Sequence, residues 1–255
     1  MIRLLARVLP LLGVNAVPVW GLVAARWTGG TALTLYWLES GLAAILVAVR
    51  IALHRAMTRK TGHEFVSPIQ DGRPGRSKRT PGSFLGHFVG AAAAFTAGHG
   101  IFLAVVLALA RRRGEVEALV DLAALRAALP FVIVFLSVGF AIDLIGLRNR
   151  PFVWIERVAQ RSLTRYVVIQ ATLMLGMALV VFSGQPRRLF LVFAVLKTLS
   201  DFAAWVPQYE PDEAPAWLAR TLDRMGGRRK ESFAAYWKRT RLEEQRRIEE
   251  NERVR

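Results

Sequence analysis

Six apolar stretches, at about 4–26, 31–53, 83–110, 125–147, 164–184 and 187–206, constrain this chain more than any other feature. The hydrocarbon of a bilayer is about 30 Å thick and offers no water to backbone groups, so a helical chain crosses it in apolar segments of about this length. Hydrophobic residues fill 53% of 255 positions, yet 35 Lys and Arg are also present, mostly in the connectors. One soluble core cannot hold both populations, so they must be segregated. The sequence therefore predicts an all-α, polytopic integral membrane bundle of about six transmembrane helices over residues 1–206. A charged helical C-terminal tail, residues 207–255, follows it. The first stretch, MIRLLARVLPLL onward, has some signal-peptide character, but its apolar run is long and ends at Arg26 just before another span. That favours an uncleaved helix, bent at Pro10, Gly13 and Pro18. The absence of cysteine excludes disulfides and thiolate metal sites.

Charge orients the bundle. Six spans place both termini on one side, and most of the basic residues fall on that side, between Arg50 and Arg79, between Arg148 and Arg165, and in the tail. Positive charge is retained in the cytoplasm, so both termini are expected inside, at a cytoplasmic (plasma) membrane. The RRRGEVE run from Arg111 is the main departure. The net charge of +16 finds its counterpart in the lipid bilayer's anionic headgroups rather than in nucleic acid, because the basic residues flank apolar spans instead of covering one folded face.

Two segments read as lying outside the bilayer. Residues 54–82, with SPIQDGRPGRSKRTPG, predict a flexible, basic cytoplasmic loop, and DGRPGRSKR lacks the residue order of a phosphate-binding loop. In the tail, Trp217, Leu218, Leu222 and Met225 recur at helical spacing beside Arg220 and Arg224, which suits an interfacial helix. Phe233, Tyr236 and Trp237 form a second apolar patch. The charged run after it predicts a solvated helix supported by Glu243 and Arg247 at i, i+4, or a docking helix that gives residues 208–255 a protein partner. No heptad is sustained.

Ionisable residues inside the apolar runs are the candidate site. An Asp or Lys at mid-membrane costs roughly 2.5 to 3.5 kcal/mol on insertion scales, so such groups should face protein or water. At about 1.5 Å of rise per residue, Glu39, His99 and Lys197 reach similar depths, with Asp201 one turn further in. These four form a predicted buried polar centre. Glu39 is to be held by Lys197, by His99 or by a proton of its own, while Lys197 and Asp201 neutralise each other at i, i+4. Asp143, Arg165 and His87 make a second, cytoplasmic layer, in which Asp143 pairs with Arg148 or Arg165 and His87 meets headgroups. Gly86, Gly90, Ala94 and Gly98 recur every four residues as a small-residue helix-packing ridge beside His99. For His99 a structural hydrogen bond is favoured over a metal role.

The segments LYWLESGLAAILVAVRIAL, FTAGHGIFLA, LTRYVVIQATLMLG and LKTLSDFAAW, in that order, resemble the hallmark segments of a prokaryotic family of multi-pass membrane proteins known only as a domain of unknown function, DUF6498. The resemblance covers residues 10 to 205 and excludes the tail. It rests on Trp37 and Glu39, on His99 with Gly100 and Phe102, on Arg165, and on Lys197 and Asp201. The family pattern carries a further histidine eight residues before His99, where this chain has Ala91, which weakens a two-histidine metal site. The resemblance implies a multi-pass fold in a prokaryotic membrane and no activity.

Three function classes follow. A helix-packing scaffold or assembly protein would use the polar centre for specific packing and the tail for partners. A transporter or channel subunit would use Glu39, Lys197 and Asp201 for ion- or proton-linked transport, although no inverted repeat is evident. An intramembrane metalloenzyme comes last, because neither H-E-x-x-H nor G-x-S-x-G occurs in the spans. No cofactor or metal is expected.

Overall fold

The computed structural model describes residues 2–66, 80–183, 195, 198–199, 211, 213–225 and 232–254. Five long helices come first: α1 (Ile2–Val23), α2 (Gly29–Thr58), α3 (Phe84–Arg112), α4 (Leu122–Leu144) and α5 (Phe152–Ser183). Two shorter ones, α6 (Ala216–Met225) and α7 (Phe233–Glu252), belong to the tail. Among the described residues the only strands are Phe65–Val66 and Thr80–Pro81, a two-residue antiparallel pair that brings the ends of the long loop together.

Local chemistry sets several helix starts. The Thr28 hydroxyl accepts the Thr31 amide at the head of α2, Ser83 accepts the Gly86 amide at α3, and Asp121 accepts the Ala123 and Ala124 amides at α4. Each cap satisfies a backbone donor that the first helical turn leaves without an internal acceptor. α2 stops where Arg59 takes a left-handed conformation, φ 50°, which turns the chain out of the helix.

α2, α3 and α4 are each long and apolar enough to cross a membrane, but their surroundings differ. In the most apolar window of α2, 44% of residues are buried, against 11% in α3 and in α4. α2 is the axis of the bundle, touched by α1, α3, α4 and α5. The flanking helices turn Val89, Phe95, Ile101 and Val105 of α3, and Phe131, Val134 and Val138 of α4, outward. Such faces suit lipid and would be a liability in water. Around α2, Ala44, Val47 and Ile51 pack with Phe84, Phe88 and Ala92 of α3 and with Phe152, Ile155, Ala159 and Leu163 of α5.

The structure departs from the sequence expectations in three places, and a fourth expectation lies mostly outside the described residues. The fifth helix begins at Phe152 rather than near 164, because Phe152, Ile155, Ala159, Leu163 and Tyr166 form a buried stripe that outweighs the intervening Glu156, Arg157 and Arg161. The loop expected over 54–82 is ordered at its start. α2 runs on to Thr58, and a single 3-10 turn, Thr61–Glu64, buries Gly62 and His63, while 67–79 lie outside the described residues. α7 is not a solvated rod, since it lies against this turn and against α5. The sixth expected span, 187–206, falls outside the described residues except for Val195, Thr198 and Leu199, which are helical, and the Thr198 hydroxyl donates to Asn15 of α1 at 3.4 Å.

Candidate functional site

Glu39 sits on α2 with no solvent exposure at all. Its partner comes from α5, where the Arg165 guanidinium donates to Oε1 in a direct salt bridge. Around this contact the chain builds a polar cluster that joins three helices. The Tyr166 hydroxyl donates to the Ser40 carbonyl at 3.1 Å, which leaves the Thr96 hydroxyl to donate to the Tyr166 oxygen at 2.9 Å. Trp37, two residues before Glu39, donates its indole N–H to the Thr96 carbonyl of α3 at 2.9 Å. Gly100 makes that approach possible, because a Cβ there would stand 2.9 Å from the indole ring. Glu39, Trp37, Thr96, Gly100, Arg165 and Tyr166 thus act together to fix α2, α3 and α5 in register.

A second polar level lies toward the C-terminal end of α2. Arg50, buried in the bundle, meets Asp143 of α4 at 3.1 Å and stands 5.4 Å over the Phe140 ring. One turn further, His54 and His63 are both buried and in contact, Nδ1 to Nε2 at 2.8 Å. His54 Nε2 lies 3.0 Å from the Arg150 carbonyl and must donate to it, so His54 Nδ1 is the acceptor and His63 Nε2 the donor. Phe152 and Phe84 set their ring edges against His63, with centroids 5.0 and 6.3 Å away. Burial in this apolar box, with His54, Arg55 and Lys60 nearby, lowers the His63 imidazole from its ordinary 6.5 to about 3.

The tail closes over this end. Glu252 of α7 pairs with Lys60 and accepts the Phe152 amide at the N-terminus of α5, where the helix dipole favours a carboxylate. Arg247 forks onto both oxygens of Glu156, at 2.6 and 3.0 Å, and also meets Glu244 at 2.7 Å. The Thr61 amide donates to the Arg253 carbonyl and its hydroxyl to the Glu250 carbonyl. At the opposite end of the bundle, Glu117 accepts the Gly29 amide at 2.8 Å and the Thr31 hydroxyl accepts the Asp121 amide at 2.9 Å.

Several sequence assignments change. Arg165, expected in the cytoplasmic layer, joins Glu39 instead, because the earlier start of α5 carries it deeper. Asp143 meets Arg50 rather than Arg148 or Arg165; α4 ends at Leu144, and the left-handed Gly146 (φ 73°) turns Arg148 out to solvent. Arg247 goes to Glu244 and Glu156, not to Glu243. Lys197 and Asp201 lie outside the described residues. His99 is half-buried on α3 and His87 is exposed in its second turn. Gly86, Gly90, Ala94 and Gly98 all face outward; a Cβ at Gly90 or Gly98 would meet nothing within 4 Å, and one at Gly86 would meet only its own cap, Ser83. The ridge therefore packs against no described helix. The sequence reading missed Arg50, His54 and His63, although His54 continues a buried α2 face through Val47, Arg50 and Ile51 that helical periodicity marks. Among the described residues, no group of three or more His, Asp or Glu is placed to hold a metal ion.

A model of a family of unknown function, DUF6498, matches residues 3–217. That span takes in α1 to α5 and stops inside α6, so α7 lies beyond it. No curated protein and no solved structure matches the chain.

Proposed function

The chain belongs to this family of unknown function, and from that premise we propose that it is a multi-pass helix-packing scaffold of the cytoplasmic membrane, with both termini inside. One observation carries the reading. The polar levels of α2 are each closed on a partner and are separated by packed hydrocarbon. Between Glu39 and Arg50 the helix rises roughly 16 Å, and Ala44 and Val47 fill that interval against Phe88 and Ala92. A transport path wants polar groups that hand an ion from one level to the next, whereas these levels serve as separate interlocks. Buried polar pairs of this kind specify which helix faces meet and in what register.

The end of the bundle that carries the tail presents a surface for anionic headgroups. Arg157 and Arg161 of α5 and Lys238, Arg239 and Arg246 of α7 are exposed there. Trp217, 66% exposed, stands near Arg220 and Arg224 on α6, a pattern that suits the membrane interface. The segment 208–255 is then available to a protein partner on the same side.

Reconstitution separates scaffold from transporter. Proteoliposomes of the full chain, under an imposed proton or sodium gradient, are expected to leak no faster than empty vesicles, and Glu39→Gln should behave the same. A flux above background that Glu39→Gln abolishes would establish the transport reading instead.

A further inference from the structure

We propose that the buried His54–His63 pair is an acid-sensitive catch that holds α7 against the end of the bundle, releasing it when the pair takes up a proton. The proposal concerns the tail's docking and stands whether the bundle is a scaffold or a transporter.

The geometry links the two directly. α7 pins the turn Thr61–Glu64 from above, through the Thr61 amide and hydroxyl, the Lys60–Val254 bridge and the Lys60–Glu252 pair. That turn in turn presses His63 onto His54. Beneath, the Arg150 carbonyl accepts both from His54 and from Lys60 at 3.0 Å, so the dyad and the tail's ion pair converge on one acceptor. In the neutral pair His63 Nε2 and both His54 nitrogens are engaged, and His63 Nδ1 is a buried acceptor with no hydrogen-bond partner among the described residues. A proton added there would be a cation in a box of Phe84 and Phe152, with no hydrogen-bond partner among the described residues.

The charges facing His63 make that worse. α2 contributes His54 and Arg55, the turn's own flank contributes Lys60, and the Arg150 carbonyl just before α5 is already shared. α7 supplies Glu252, a carboxylate whose field acts on His54, but Lys60 and the α5 amides hold it. Glu64 lies one residue along on the turn itself, and His87 of α3 is exposed. To become solvated, a protonated His63 needs its turn to lift, and the turn lifts only if α7 lets go.

The sign follows from linkage. In the docked state burial lowers the His63 imidazole to about 3, while an undocked, wetted imidazole titrates near 6.5. Docking is therefore fully supported above about pH 6.5 and loses about tenfold in its equilibrium constant for each pH unit below that.

Hydrogen exchange on the full chain reads this even when the undocked state is rare. After correction for intrinsic rates, amides in the second half of α7 should lose about 30-fold in protection between pH 7.5 and 5.0, while those of α3 hold theirs. His63→Gln, whose amide can still donate to His54 but cannot titrate, should keep α7 protection flat across that range. Constant wild-type protection from pH 7.5 to 5.0 overturns the proposal. So does a loss that starts only below about pH 4.5, in the ordinary carboxylate range, or one that His63→Gln reproduces. Should His63→Gln fail to dock at any pH, the wild-type onset decides alone.

Discussion

Glu39–Arg165 and Glu156–Arg247 are the same chemical contact placed in two settings. The first joins α2 to α5 within the bundle, with Glu39 wholly buried and Arg165 at 21% side-chain exposure. The second joins α5 to a helix of the tail, with exposures of 6% and 12%, and Arg247 shares its charge with Glu244 as well. Burial alone does not distinguish them. The difference lies in what each partner can do once the other is gone. Arg165 sits in the middle of a long helix of the bundle and cannot move without it, whereas Arg247 rides on a helix of the tail that can swing away as a unit. One contact is a permanent fastening, and the other is releasable.

The sharpest way to break this comparison is to remove one partner from each pair. Glu39→Ala should destabilise the bundle by about 3–5 kcal/mol, as orphaned buried charges do, read as a lowered thermal midpoint in detergent. Losing both charges in Glu39→Gln with Arg165→Met should recover much of that, because two neutral groups of similar size leave nothing uncompensated. An unchanged midpoint for Glu39→Ala would mean that Arg165 finds water and the two settings are alike. Next in size is Gly100→Leu, which drives a side chain into Trp37 and should cost about 1–3 kcal/mol, with a change in tryptophan fluorescence as its signature.

Arg247→Ala should act locally. Protease cleavage or hydrogen exchange in α7 should rise several-fold, while the thermal midpoint of the bundle moves by less than about 0.5 kcal/mol equivalent. A global loss as large as that of Glu39→Ala would erase the distinction between fastening and latch. Smallest of all is Gly98→Ala on the outward ridge of α3. With open space at its Cβ, the substitution should be neutral or stabilise by about 0.4–1 kcal/mol through the unfolded chain. A clear destabilisation there would reveal a helix seated on the ridge.

Much of the bundle was legible in the chain because hydrocarbon runs report length and period directly. The first four apolar stretches coincide with α1 to α4 to within a few residues. Glu39 also stood out as a carboxylate in an apolar run, but its partner did not. Arg165 stands at the start of its apolar run, which put it in the cytoplasmic layer, whereas α5 starts well before that run. The stripe Phe152, Ile155, Ala159, Leu163 would have corrected it, had period been weighed above local charge. Pairings such as Arg50 with Asp143, or Lys60 with Glu252 across 192 residues, have no local signature. They depend on which helices become neighbours, and no spacing in one segment encodes that.

The length of α2 has a consequence for where the bundle rides. Thirty residues make a rod of about 45 Å, against hydrocarbon of about 30 Å. If the bundle spans a bilayer as proposed and stands close to upright, roughly three turns of α2 extend beyond the acyl chains. On the proposed membrane reading, an excess at the C-terminal end would carry Arg50, His54 and Arg55, with the guanidinium of Arg50 at the waterline. A thicker bilayer would draw that line toward Thr58 and wet less of the tail's seat, and a thinner one would expose more of it. Hydrophobic mismatch, rather than any ligand, then sets how much of the seat for α7 meets water.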